Sequence, residues 1–208
     1  HVETPFVQAN TGSLGMGISK AKGMAIANRH AGTPRRIFVL TGDGELQEGQ
    51  FWESLPTAVH QRMHEIVVII DHNKIQSDTW VHGVSNLGDL EAKFRAFGWH
   101  VSRCDGHDVA ALERTFRALD SVGNQPKVII ADTVKGKGVS FMEDDNNWHY
   151  RIPTADEVVR AIRHLEDARR WNPVVRLMDP NMATQTNERL ERGWSLRTAY
   201  DRAGLRCN

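Results

Sequence analysis

The sequence predicts an α/β fold, a parallel sheet covered by helices on both faces, from two observations. Its strand candidates, residues 36–41 and 66–70 foremost, are apolar along their whole length instead of at every second residue, as strands buried on both faces are. They alternate with segments whose apolar side chains recur at steps of three and four, the period of one helix face.

The elements follow in order. Leu14, Ile18, Ala21 and Ala25 place a helix over residues 12–30, opened by a Thr11-Gly12-Ser13 turn. Residues 36–41 form a strand that stops at Gly42-Asp43-Gly44, a tight turn, and residues 47–62 read as a helix. The next strand, 66–70, ends in Asp71-His72-Asn73, residue types that tolerate loop backbone. A short helix over 87–97 is closed by Gly98, 99–103 is a strand, and Val109, Leu112, Phe116 and Leu119 form a helix stripe. Residues 127–133 give another strand. Thr154-Ala-Asp-Glu157 is a capping-box sequence with Val158, Ile162 and Leu165 at helical spacing behind it. After about Arg169 the periodicity fades, and Pro173, Pro180 and a polar stretch read as linker, although residues 188–200 have the pattern to restart a helix. The expected organisation is one domain over 1–168 and a linker or truncated second domain over 169–208.

Composition narrows the function classes. A chain of 208 residues has room for one ordinary domain and an appended piece. Its 26 Lys plus Arg balance 26 Asp plus Glu, so no net field draws it to nucleic acid or an anionic membrane. Cys104 and Cys207 form no CxxC pair, giving neither a disulfide framework nor a zinc signature, and a reducing cytoplasm is the expected compartment. The apolar runs are far shorter than the ~20 residues of a membrane helix, and no signal-peptide pattern opens the chain. It begins at His1 rather than Met, so its natural start is expected to be missing.

Two strand ends carry polar groups. Asp43 stands between glycines just past the first strand, where backbone can approach a ligand closely. Asn73 lies 30 residues on, after a helix and the next strand, so adjacent parallel strands would bring both to one sheet edge, where α/β sheets bind ligands. A hard divalent cation such as Mg²⁺ takes about six oxygens, commonly one or two carboxylates plus phosphate oxygens and water. An Asp, an Asn amide oxygen and a nearby carbonyl suit such a metal already holding a diphosphate. Gly44 and the helix start behind it present N–H groups to a phosphate.

Gly42-Asp43-Gly44 with Asp71-His72-Asn73-Lys74-Ile75 resembles the thiamine diphosphate fingerprint. Three further segments resemble the transketolase family over roughly residues 1–165. Thr11-Gly-Ser-Leu-Gly-Met-Gly-Ile-Ser19 is similar to its TG(P/S)LGxG loop, and residues 42–53 to its GDGxxxEGxxxE run. Lys135-Gly-Lys-Gly138 with Glu143 and Trp148-His149 is similar to the KGKGxxxxE and WH stretch of the small two-subunit members.

The resemblance implies that Asp43 and Asn73 ligate Mg²⁺ through side chains and Ile75 through its carbonyl, that Gly44 meets the diphosphate, and that Gly12, Ser13 and Leu14 sit against thiamine diphosphate. It makes Glu48 and Glu53 members of an interfacial proton relay, whose mutual burial would raise a carboxyl pKa. It puts His149 near diphosphate and substrate, and matches His1 to the first histidine of a substrate-facing GHPE segment, with Val2 in place of proline. Tyr150 stands where small relatives carry glycine. The implied activity is transfer of a two-carbon ketol unit between sugar phosphates, in a homo- or hetero-oligomer completed by a pyrimidine-binding domain or subunit. Other readings are a subunit of deoxyxylulose phosphate synthase or 2-oxo acid dehydrogenase type, and a non-catalytic assembly partner.

Overall fold

In the computed structural model, which describes residues 7–10, 12–77 and 79–171, four strands form one parallel sheet. They are β1 (Ile37–Gly42), β2 (Ile66–His72), β3 (His100–Asp105) and β4 (Lys127–Asp132), in the order β1-β2-β4-β3. Gly42 faces Asp71 in register, His72 faces Asp132 and Asp132 faces Asp105, so all four strands end at one edge, three of them in polar residues.

The two central strands are apolar on both sides because both sides are covered. Ile66, Val68 and Ile70 of β2 join Val128 and Ile130 of β4 in the larger core, whereas Val67 and Ile129 point into a smaller one. Each such side chain stabilises the fold by about 1.5–3 kcal/mol when fully buried. The larger core takes Ile18 and Ala21 from α1 (Gly17–His30), Phe51 from α2 (Gly49–Glu53), and Leu55 and Ala58 from α3 (Leu55–His60). A four-residue helix, α4 (Val81–Val84), is too short to leave a periodic trace in sequence. Leu90 and Phe94 of α5 (Leu90–Ala96) complete this side, and Phe116 of α6 (Val109–Ala118), with Leu119 just past it, covers the other. Asp89 caps α5 by accepting the Ala92 N–H at 3.0 Å.

Thr11–Ile152 forms one compact unit, and α7 (Ala155–Trp171) belongs to a second. The capping box that opens α7 is made: Thr154 N–H donates to Glu157 Oε2 at 2.8 Å, and Glu157 N–H to Thr154 Oγ1 at 3.4 Å. This helix passes the expected boundary at 168, while the linker and second helix expected beyond Trp171 lie outside the described residues. No helix among the described residues is long and apolar enough to cross a membrane.

Three sequence expectations are corrected. The first helix starts at Gly17, not at residue 12, because Gly15 takes a left-handed φ of +79° that helical backbone does not permit; Leu14 is left 58% exposed. The segment 47–62 is broken: a 3₁₀ turn (Gly44–Gln47) precedes α2, and α3 begins after Ser54 with Pro56 in its first turn, where the missing N–H costs nothing. β1 is an edge strand rather than one covered on both faces, with Phe38 50% and Leu40 75% exposed.

Arg29 on α1 ties that helix to the approach of β2. Its guanidinium donates to Glu65 at 2.5 and 2.7 Å and to the carbonyls of Gln61 and Arg62 at 2.9 and 2.8 Å. Burial of Glu65 opposes its ionisation, but the Arg29 hydrogen bonds outweigh this and hold its carboxyl below the usual range. Since the folded value is the lower one, the stabilisation is present above the ordinary carboxylate range and lost as pH falls through the depressed value. Arg29→Ala is expected to lower stability by about 2 kcal/mol near neutral pH, measured by urea unfolding, with the deficit shrinking in acid.

Candidate functional site

Parallel pairing of β1 with β2 sets the site, because it lays the turns leaving the two strands side by side. Asp43 leaves β1 in helical backbone, opens the 3₁₀ turn, and donates its N–H to the Asp71 carbonyl at 3.2 Å. Its side chain, in a residue 1% exposed, accepts the Lys74 N–H across the gap between the strands. Burial raises the carboxyl pKa, an effect reduced by the Lys74 N–H, the nearby His72 and the Gly44 N–H. No lysine or arginine among the described residues pairs with it. A buried carboxylate without a countercharge is costly, and a bound cation would relieve that cost.

Asn73 is held in the same turn. Its Nδ2 donates to Asp71 Oδ2 at 3.2 Å, and its Oδ1 accepts the Ile75 N–H at 3.0 Å. The amide oxygen has a second lone pair, so that bond leaves it able to bind a metal. Lys74 adopts a left-handed φ of 68°, turning its N–H toward Asp43 while Asn73 and Ile75 flank it. Asp71 in turn accepts the Thr133 hydroxyl, which fixes the amide's support to β4. Beside Gly44, a Cβ would stand 3.0 Å from that of Gln76, whose Oε1 is buried without a hydrogen-bond partner. Among the described residues no three His, Cys, Asp or Glu converge as a metal cage. The donors present are hard oxygens, few in number, which fits a Mg²⁺ ion that completes its shell from phosphate and water.

One cluster at this edge centres on Asp132 and Arg103, which lie outside every sequence motif. Asp132, at the end of β4, receives Arg103 Nε at 2.6 Å and Nη2 at 2.9 Å, with His72 Nδ1 at 2.8 Å and Lys74 Nζ at 3.4 Å. The Arg103 hydrogen bonds hold its carboxyl well below the usual range. A polar residue ending an expected strand is the signal that sequence offers for it.

The remaining candidates are less gathered. Gly12, Ser13 and Leu14 are exposed ahead of α1, and a Cβ on the adjoining Gly15 would stand 3.0 Å from the Glu48 Cβ, so this loop lies against the start of α2. Glu48 and Glu53 are both exposed on the single chain; Phe51 is the side chain α2 turns into the core, leaving the acids outward. His149 ends a 3₁₀ turn (Asn146–His149), is exposed, and meets the Tyr150 ring edge-on at 4.6 Å, with no hydrogen bond to the Asp43 turn among the described residues. The loop before it folds on itself: Gly138 N–H donates to Glu143 Oε1 at 2.9 Å and Trp148 Nε1 to the Phe141 carbonyl at 2.8 Å. His1 lies outside the described residues.

Residues 1–203 match the family model described as the transketolase thiamine diphosphate binding domain. The chain belongs to the transketolase family. It is 41% identical over 165 residues to one of the named subunits of the apulose-4-phosphate transketolase of Actinobacillus succinogenes, covering 79% of this chain and 59% of that protein. It is 39% identical over 167 residues to the 6-deoxy-6-sulfo-D-fructose transketolase subunit SqwG of Clostridium sp. MSTE9, covering 78% and 59%. The chain therefore spans about three fifths of the length of these relatives. The transketolase of Campylobacter jejuni shares the fold, with a TM-score of 0.62 at 24% identity over 81% of this chain and 32% of its own.

In this transketolase-family chain the Lys-Gly-Lys-Gly segment has a backbone reason. Gly136 sits at φ 76°, and a Cβ there would run into the Met142 carbonyl. Gly136→Ala is expected to destabilise the chain by about 1–3 kcal/mol and to speed amide hydrogen exchange across 134–149, with exchange in β1 and β2 unchanged.

Proposed function

We propose that this chain is the diphosphate- and Mg²⁺-holding part of a transketolase-like enzyme that moves a two-carbon ketol unit between sugar phosphates. The observation that carries the reading is Asp43: a buried carboxylate at a parallel-strand turn, bonded to the Asn73–Ile75 loop and lacking a cationic partner among the described residues. In this reading Asp43, Asn73 and the Ile75 carbonyl would hold Mg²⁺, and Gly44 would meet the diphosphate. Gly12, Ser13 and Leu14 face the rest of the cofactor, and the exposed Leu14 suits an apolar ring surface. His149 and His1 meet phosphate and substrate, and Tyr150 narrows the approach.

Bound thiamine diphosphate supplies the electron sink that carbon–carbon cleavage and re-formation need. The chain's own task is to hold the metal and diphosphate rigidly, so that the reacting end of the cofactor is presented at a fixed place. Glu48 and Glu53, exposed at the start and end of α2, are suited to burial against a second subunit. A pyrimidine-binding domain or subunit completes the site, as the naming of the two relatives as subunits supports. The functional domain is taken as residues 1–168 and the compartment as cytoplasmic, in keeping with cysteines that form no CxxC pair. Those relatives are named for different sugars, so the reading commits to ketol transfer and not to one acceptor.

Asp43→Ala is expected to abolish Mg²⁺-dependent binding of thiamine diphosphate in calorimetry, and Asn73→Ala to weaken it by about tenfold or more. Unchanged binding in Asp43→Ala would contradict the metal assignment. Mixed with its pyrimidine-binding partner, the native chain is expected to consume xylulose 5-phosphate with an aldose acceptor and to leave pyruvate untouched.

A further inference from the structure

Glu45 has the side chain that joins two parts of the site. Its Oε1 accepts the Gly15 N–H at 2.7 Å, and its Oε2 accepts the Thr41 hydroxyl at 2.6 Å. Thr41 is buried near the end of β1, opposite Ile70, and Gly15 follows the exposed residues 12–14. A glutamate in the first turn of a 3₁₀ helix could serve only the helix dipole. Glu45 instead reaches a backbone amide 30 residues away.

Besides Gly17, which packs against Val39, and Ile18 in the core, three contacts hold residues 12–19 to the surface behind them. Gly15, at φ +79°, lies so close to Glu48 and Phe51 that a Cβ would stand 3.0 Å from the first side chain and 3.4 Å from the second backbone nitrogen. Gln50 Nε2 donates to Ser19 Oγ at 2.8 Å. Glu45, two residues from Asp43, ties the metal-side turn to Gly15, the buried residue that follows the exposed 12–14. Asp43 thus stands between two loops: 73–75 bonds its carboxylate directly, and 12–16 is registered to its turn through Glu45.

We propose that Glu45 is a positioning residue that sets loop 12–16 against the Asp43 turn, and so controls affinity for the ring-bearing part of the cofactor without touching the metal or diphosphate. The proposal rests on the cofactor reading above. Both carboxylate oxygens are used, one on each element. Alanine would leave the Gly15 N–H without its acceptor and the Thr41 hydroxyl with only the Gly42 carbonyl at 3.4 Å. Glutamine would keep both links, its oxygen accepting from Gly15 and its NH₂ donating to the Thr41 oxygen.

The test titrates the chain by calorimetry with Mg²⁺ and thiamine diphosphate, and separately with Mg²⁺ and inorganic pyrophosphate, alongside hydrogen exchange over residues 12–17. Glu45→Ala is expected to bind thiamine diphosphate about tenfold more weakly, to bind pyrophosphate within about twofold of the native chain, and to exchange faster over 12–17. Glu45→Gln should match the native chain within about twofold in all three readouts. Should Glu45→Ala fail to fold, Thr41→Val removes the strand-side bond alone, and the same selective loss of thiamine diphosphate affinity is expected. Equal loss of both ligands, no loss of either, or a glutamine variant as weak as alanine would overturn the proposal. A native chain that binds neither ligand would instead overturn the cofactor reading and this proposal with it.

Discussion

The hydrogen bond from the Lys74 backbone to the buried Asp43 carboxylate joins the turns of two neighbouring strands. It exists because β1 and β2 run parallel with Gly42 opposite Asp71, so their chains leave the sheet on the same edge one strand spacing apart. An antiparallel pair would have sent these turns to opposite edges. The desolvated carboxylate, the left-handed Lys74 and the Asn73 amide braced on Asp71 all follow from that alignment.

Charge is partitioned at this edge. The side chains of Arg103, Lys74 and His72 all converge on Asp132; none of these side chains hydrogen-bonds Asp43, which of the three only His72 influences from nearby. Asp132 therefore ties β2, β3 and β4 together, while Asp43 keeps a backbone donor but no countercharge among the described residues. The division gives one carboxylate a structural role and leaves the other a need that a metal can meet. The sheet beneath is rigid because β2 and β4 are packed on both faces. Precise placement of a bound group calls for such support.

The sheet is legible in sequence because apolar residues run unbroken through its central strands, and the Asp43 and Asn73 turns because glycine, aspartate and asparagine mark strand ends. The capping box of α7 is legible for the same local reason: Thr154 and Glu157 satisfy each other's backbone within one turn. What sequence misplaces depends on tertiary context. Leu14 has helical spacing, yet the left-handed Gly15 ends the helix before it. Phe38 and Leu40 look like core residues, but β1 lies at the sheet edge, a fact that strand order decides and composition does not. Glu45 and Asp132 gain significance only where residues about 30 apart in sequence meet, and Gln76 only where its turn packs beside Gly44. In sequence they are an ordinary first-turn acid, a strand-terminal aspartate and a loop amide. Glu48 and Glu53 match a motif whose burial this chain does not itself supply.

The convergence of Asp43 and Asn73 on one cation is tested most directly by anomalous scattering from a crystal of the chain grown with thiamine diphosphate and Mn²⁺ in place of Mg²⁺. The predicted result is a single manganese peak at the carboxyl ends of β1 and β2, with a carboxylate oxygen of Asp43, Oδ1 of Asn73 and the Ile75 carbonyl each at roughly 2 Å. A bound cofactor whose manganese is reached by neither side chain, or a peak on another edge of the sheet, would contradict it.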